Sequence, residues 1–111
     1  MNERRKAQRI TFETAAQVHL ANNESFPAEV ETKNISLTGL YLKTDKSIPI
    51  HTSCSVEIDL RGSTSKMHFI VDGKVCRHDE NGLAITITHL DADSYTHIIN
   101  LVNLNSAQEQ T

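Results

Sequence analysis

Apolar side chains recur at every second position in one stretch after another of this sequence, and few folds are open to a chain patterned that way. Ile10, Phe12, Thr14, Ala16, Val18 and Leu20 fall on one side of an extended segment, with Thr11, Glu13, Gln17 and His19 on the other. That alternation describes a half-buried strand. Turn chemistry at Asn22-Asn23-Glu24-Ser25 separates it from a second strand, in which Phe26, Ala28 and Val30 alternate with Glu29 and Glu31. Gly39 opens a short third strand through Leu40 and Leu42, and the stretch from Thr44 to Ser53, containing Pro49, reads as a connecting loop. Val56, Ile58 and Leu60 define a fourth strand, and Arg61-Gly62-Ser63-Thr64-Ser65 is the next turn. In the fifth, from about Lys66 to Arg77, one face carries Met67, Phe69, Val71, Gly73 and Val75. Gly73 marks a bulge or a bend there, or a place beneath a bulky neighbour. Asn81-Gly82 is a strong hairpin signal, and Leu83, Ile85 and Ile87 follow it in a sixth strand.

At Asp91 the period changes. Tyr95, Ile98, Ile99 and Val102 fall on one helical face, and Asp91 or Asp93 is placed to cap the first turn. Short antiparallel strands with tight turns are best satisfied by a sheet curled into a barrel, because closure removes exposed edges. The expected fold is therefore mostly β: a six-stranded antiparallel barrel with a C-terminal helix over one opening or one flank. The division expected along the chain is a basic arm over 1–9, the barrel and helix over 10–104, and a polar, frayed tail over 105–111.

With 111 residues there is room for one domain and one core. No apolar run approaches the roughly 20 residues a spanning helix needs, so no membrane insertion is expected. No apolar segment follows the initial charges either, and the chain is expected to stay in the cytoplasm. Cys54 and Cys76 lack a metal-ligand spacing and read as small, partly buried hydrophobes. The histidines at 19, 51, 68, 78, 89 and 97 are scattered without HxxxH. Cys76 and His78 are next neighbours on one strand face with no third orienting group, so no catalytic dyad, enzyme activity, metal or cofactor is expected.

Two constellations remain. The net charge is −3, yet Arg4, Arg5, Lys6 and Arg9 crowd the first nine residues against Glu3 alone. A guanidinium can bind phosphate oxygens bidentately, pair with the O6/N7 edge of guanine and stack on a base. A solvated basic tail is the plainer alternative. The second constellation is Asn34-Ile35-Ser36-Leu37-Thr38-Gly39, read as a polar turn between the second and third strands. Asn34 and Ser36 offer donors and acceptors, and Gly39 lets a ligand approach the backbone; a turn whose side chains satisfy their own backbone is the alternative.

Together the two segments resemble the bipartite signature of the PilZ family, RxxxR followed after a strand pair by (D/N)xSxxG. Arg5 and Arg9 fill the first element, and Asn34, Ser36 and Gly39 the second. The resemblance implies a receptor for the bacterial second messenger cyclic di-GMP, in which Arg5 and Arg9 clamp the ligand while Asn34 and Ser36 orient a guanine beside Gly39. It further implies that Arg4, just before the motif, favours two mutually stacked ligand molecules, and that Arg77 is similar to a barrel-wall position that faces the ligand. In the sixth strand Gly82-Leu83-Ala84 departs from the family's GxG pattern, and Ile87 stands in place of an aromatic.

The arm is expected to be mobile until ligand draws it across the barrel, creating a surface that an unidentified downstream protein reads. Two other readings compete with this one. A PilZ-like interaction module without ligand is opposed by the intact signature. A nucleic-acid-binding barrel is opposed by the net charge of −3 and an aromatic content of only 5%.

Overall fold

In a computed structural model of the chain, residues 13–62 and 66–109 are described, with side chains through 104. The alternating segments form β1 (Glu13–Leu20), β2 (Ser25–Ile35), β3 (Gly39–Lys43), β4 (Ser53–Arg61), β5 (Lys66–His78) and β6 (Gly82–Leu90), followed by the helix α1 (Ala92–Glu109). Two antiparallel meanders, β1-β2-β3 and β4-β5-β6, are joined along both edges by β1–β4 and β3–β6 pairing, which closes a barrel in the order β1-β2-β3-β6-β5-β4. Every described strand thus has a hydrogen-bonded neighbour on each side, and among the described residues closure removes the free edge that could recruit another chain.

The core follows the two-residue period. Val18, Val56, Ile58, Leu60, Val71, Val75 and Leu83 point inward and are all but inaccessible. In β4 the burial alternates without interruption from Cys54 to Leu60. Gly73 lies buried opposite Cys54, where a Cβ would collide with the Thr86 carbonyl oxygen and sit 2.7 Å from Ile85 Cγ2. The glycine is therefore required both by close approach and by the register shift at Asp72/Gly73, where Thr88 is the extra residue on β6.

Helix α1 reaches β2 and β5, which stand on opposite sides of the barrel, so it lies across an opening rather than along a flank. Asp91 caps it by accepting the Ser94 amide at 2.7 Å. Ser94 in turn is nearly inaccessible: its hydroxyl donates to the Ile70 carbonyl at 2.9 Å and accepts from the Ile70 amide at 3.3 Å. Those bonds set the helix rotation. Ser94, Ile98 and Leu101 face inward, while Tyr95, expected on the apolar face, is 51% exposed. Only a small side chain fits where the helix backbone comes this close to β5. The opposite opening is crossed by residues 44–52, whose partly buried Ile48 packs on the core and whose His51 amide donates to Val75 at 2.7 Å.

Two further expectations are corrected. Cys54 is buried, but Cys76 is exposed, because it follows the inward Val75 on the outer side of β5; its Sγ lies 3.4 Å from the Ala84 carbonyl, and the register shift between Val75 and Arg77 turns Arg77 outward as well. The helical backbone runs to Glu109, through residues assigned from sequence to a frayed tail. Segment 1–12, including the first three residues of the expected first strand, lies outside the described residues.

Because Ile98 plugs the barrel from the helix, Ile98→Ala is expected to lower the unfolding free energy by about 2–5 kcal/mol, measured by urea denaturation. Burial and the nearby Asp72 carboxylate push the Cys54 thiol up to about 11. At pH 8 a thiol reagent should therefore modify one cysteine of the native protein, Cys76, and reach Cys54 only after unfolding, as peptide mass mapping would show.

Candidate functional site

The second polar constellation is a bend built by its own hydrogen bonds. The Ser36 amide donates to the Gly39 carbonyl at 3.0 Å. Ser36 Oγ accepts the Thr38 and Gly39 amides at 3.3 and 3.2 Å and lies 3.1 Å from the Gly39 carbonyl, to which it donates. The Thr38 carbonyl accepts the Ile87 amide at 2.9 Å, which ties the bend to β6. Ser36 therefore holds the shape of the bend. Asn34 is placed differently from expectation: it belongs to β2, one residue before that strand ends at Ile35, and its side chain is exposed. The strand carries on into the first two residues of the expected turn: beyond a β2–β3 register shift between Val30 and Ile35, Ile35 pairs with Leu40. Gly39 sits in β3 opposite Thr86, and a Cβ there would come 2.6 Å from the Ile85 carbonyl oxygen. Its lack of a side chain is thus already required by strand approach, before any ligand is considered.

From this bend an outward-facing shelf extends over β3, β6 and β5. One row across it is Gly39, Thr86, Lys74; the next, toward the β5–β6 hairpin, is Tyr41, Ala84, Arg77. The middle strand supplies only a hydroxyl and a methyl, which leaves the shelf low at its centre with cations on the β5 side. Tyr41 is fixed by a 2.8 Å hydrogen bond to Asp79, whose carboxylate also accepts the Asn81 and Gly82 amides at 2.9 Å. That phenol donation holds the Asp79 carboxyl below its usual range, aided by the Asn81 amide, and raises the Tyr41 phenol. Arg77 is close enough for its charge to favour the ionised form of both. Cys76 and His78 are both exposed, and nothing among the described residues orients them as a pair.

The rest of the outer wall has the opposite character. On β1, β4 and β5, His19 Nε2 lies 3.1 Å from Glu57, while His68 lies 2.7 Å from Asp59 and 3.4 Å from Glu57. The hydrogen bond to Asp59 raises the His68 imidazole above its ordinary value, so the small stability it lends is present below about pH 6.5 and fades as pH rises through the raised value. A groove of about 400 Å³ includes Asp72, Ser55 and His19, and one of about 290 Å³ includes Glu13, Asp59 and Arg61. Both carry carboxylates. Among the described residues no group of histidine, cysteine or carboxylate side chains is arranged to hold a metal ion, and no helix is long and apolar enough to cross a membrane.

Of the residues singled out from sequence, the barrel brings Ser36, Gly39 and Arg77 to one continuous face, with Asn34 beside them at the end of β2. Arg4, Arg5 and Arg9 lie outside the described residues. β1 nevertheless begins at the barrel end where β2 finishes and the Ser36–Gly39 bend emerges, because β1 and β2 are antiparallel. Residues 3–104 match the model of the PilZ domain family, which covers nearly the whole chain. The chain belongs to the PilZ family. No curated protein matches it significantly. PilZ domains are cyclic di-GMP-binding modules. In this PilZ domain the residues that sequence reasoning passed over are Tyr41, Lys74, Asp79 and Thr86. Periodicity shows which of them point outward, but their neighbourhood with Gly39 depends on pairings across three strands and on the extra residue at Cys76.

The close approach at Gly39 makes Gly39→Ala a test of its structural role. The variant is expected to lose about 1–3 kcal/mol of stability without any ligand present, read from its denaturation midpoint.

Proposed function

We propose that this PilZ domain is a receptor for cyclic di-GMP that passes the signal to another protein. The observation that carries this reading is topological: the start of β1 and the Asn34–Gly39 bend occupy the same end of the barrel, and the shelf runs from that bend toward Arg77 near the β5–β6 hairpin. Gly39 lies two strands from the beginning of β1, roughly 10 Å away at ordinary strand spacing. Arg9 precedes Glu13 by four residues and Arg5 by eight, so their backbones can lie up to about 14 and 28 Å from it. Both guanidinium groups are therefore within reach of a ligand lying on the shelf.

The ligand is a dianion with two guanine bases, and the residues supply matching chemistry. Arg5 and Arg9 clamp phosphate and the Hoogsteen edge of a guanine, as forked donors do best. Asn34, exposed and without a hydrogen-bond partner among the described residues, orients a base beside Gly39. Ser36 acts by holding the bend, since its hydroxyl is already engaged there. Arg77 closes the far side. With Arg4 adding a further cation, two stacked ligand molecules per domain are proposed. Drawing segment 1–9 over the shelf replaces a row of exposed charges by a new surface, which a partner protein recognises. No side chain in this account performs covalent chemistry.

A second reading, a PilZ module that acts by protein contact alone, draws on the bend itself, because Ser36 and Gly39 both have complete structural explanations. Titration calorimetry separates the two. The native chain is expected to bind cyclic di-GMP saturably, and Arg5→Ala and Arg9→Ala to lose about 1.5–3 kcal/mol each. Absence of binding by the native chain would favour the contact-only module; native-like affinity in both variants would remove the arginine assignment.

A further inference from the structure

Neither signature motif includes Lys74, yet the barrel sets it in the same outward row as Gly39, with Thr86 between them. Two strand spacings separate the row's ends, roughly 10 Å, which is less than the span of a cyclic dinucleotide lying flat on the wall. Lys74 is exposed, and among the described residues its ammonium has no ion-pair partner. The other described cations near the shelf are engaged or influenced by carboxylates. Lys43, at the far end of β3, lies 2.8 Å from Glu31, and Arg77 stands in the field of Asp79. Lys74 is thus the cation of this face that is uncommitted among the described residues.

We infer that Lys74 is a phosphate-binding residue of the cyclic di-GMP site, a role that rests on the receptor reading above. Gly39 and Thr86 leave the row low, so a guanine placed against the bend directs the ribose-phosphate ring across β6 toward β5, where the ammonium meets a phosphoryl oxygen. Thr86 cannot supply the charge, and Cys76, itself the extra residue in β5, keeps its Sγ on the Ala84 carbonyl. The bulge also determines which β5 side chains border the shelf: it puts Arg77 rather than Cys76 opposite Ala84, one row above Lys74. The two cations therefore flank the small residues of β6 from one side.

The test is calorimetric titration of cyclic di-GMP into the native chain, Lys74→Gln, Lys74→Arg and Lys43→Gln, at two salt concentrations. Lys74→Gln is expected to weaken binding about tenfold or more and to flatten the salt dependence. Lys74→Arg should retain most of the affinity, and Lys43→Gln should bind like the native chain. Both lysines are exposed strand residues, and thermal melts will show that each variant is folded. Native-like binding by Lys74→Gln, or an equal loss in Lys43→Gln, overturns the assignment to Lys74 while leaving the receptor reading intact. No binding by the native chain overturns both.

Discussion

Pairing between β1 and β4 holds the rest of this structure in place. It runs without a break from Glu13 opposite Arg61 to Leu20 opposite Cys54, joining segments some forty residues apart in the chain. Without it the two meanders would form an open, strongly twisted sheet with β1 and β4 as bare edges and an apolar face too wide for one helix to cover. With it, the inward rows of six strands converge on one another, and one helix suffices to seal an end. The β3–β6 seam completes the same closure and creates the functional face, since it is this seam that lays Gly39 and Tyr41 alongside Thr86 and Ala84.

Closure also sorts charge. An antiparallel barrel buries alternate residues, so every polar side chain of a strand is forced onto a single outer wall whose composition changes around the circumference. Around β1 and β4 the wall carries carboxylates balanced by histidines, whereas the β5 side of the shelf carries Lys74 and Arg77. A net charge of −3 conceals that division. An anionic ligand responds to the local field, and a site on the shelf is consistent with an overall acidic protein.

Much of the fold was legible because its signal is local. In β4 and β5 the two-residue period identifies the buried row residue by residue, and Asn81-Gly82 and Asp91 mark a hairpin and a helix start through side-chain chemistry that acts within a few residues. Tyr95 was misplaced because helical periodicity does not report the rotation of α1, which depends on Ser94 reaching the Ile70 backbone. The outward facing of Arg77 was hidden for a similar reason, since a single extra residue in β5 after the inward Val75 reverses the alternation and bulges leave little trace in composition, whereas the exposure of Cys76 follows from the period itself. For the site, the paired motifs were visible as strings, but the division of labour within the second one was not: Ser36 turns inward on its own bend, and Asn34 stays exposed at a strand end.

By itself, then, the order of residues determined the class of fold, the family and the two segments that carry its signature, because periodicity, turn chemistry and motif spacing are properties of neighbours along the chain. Only the folded barrel decided which end the helix closes, which face of that helix is buried, and that Lys74, Arg77 and Tyr41 share a face with Gly39. Those outcomes depend on strand register and helix rotation, which arise when distant segments pack together and a one-residue shift exchanges inside for outside.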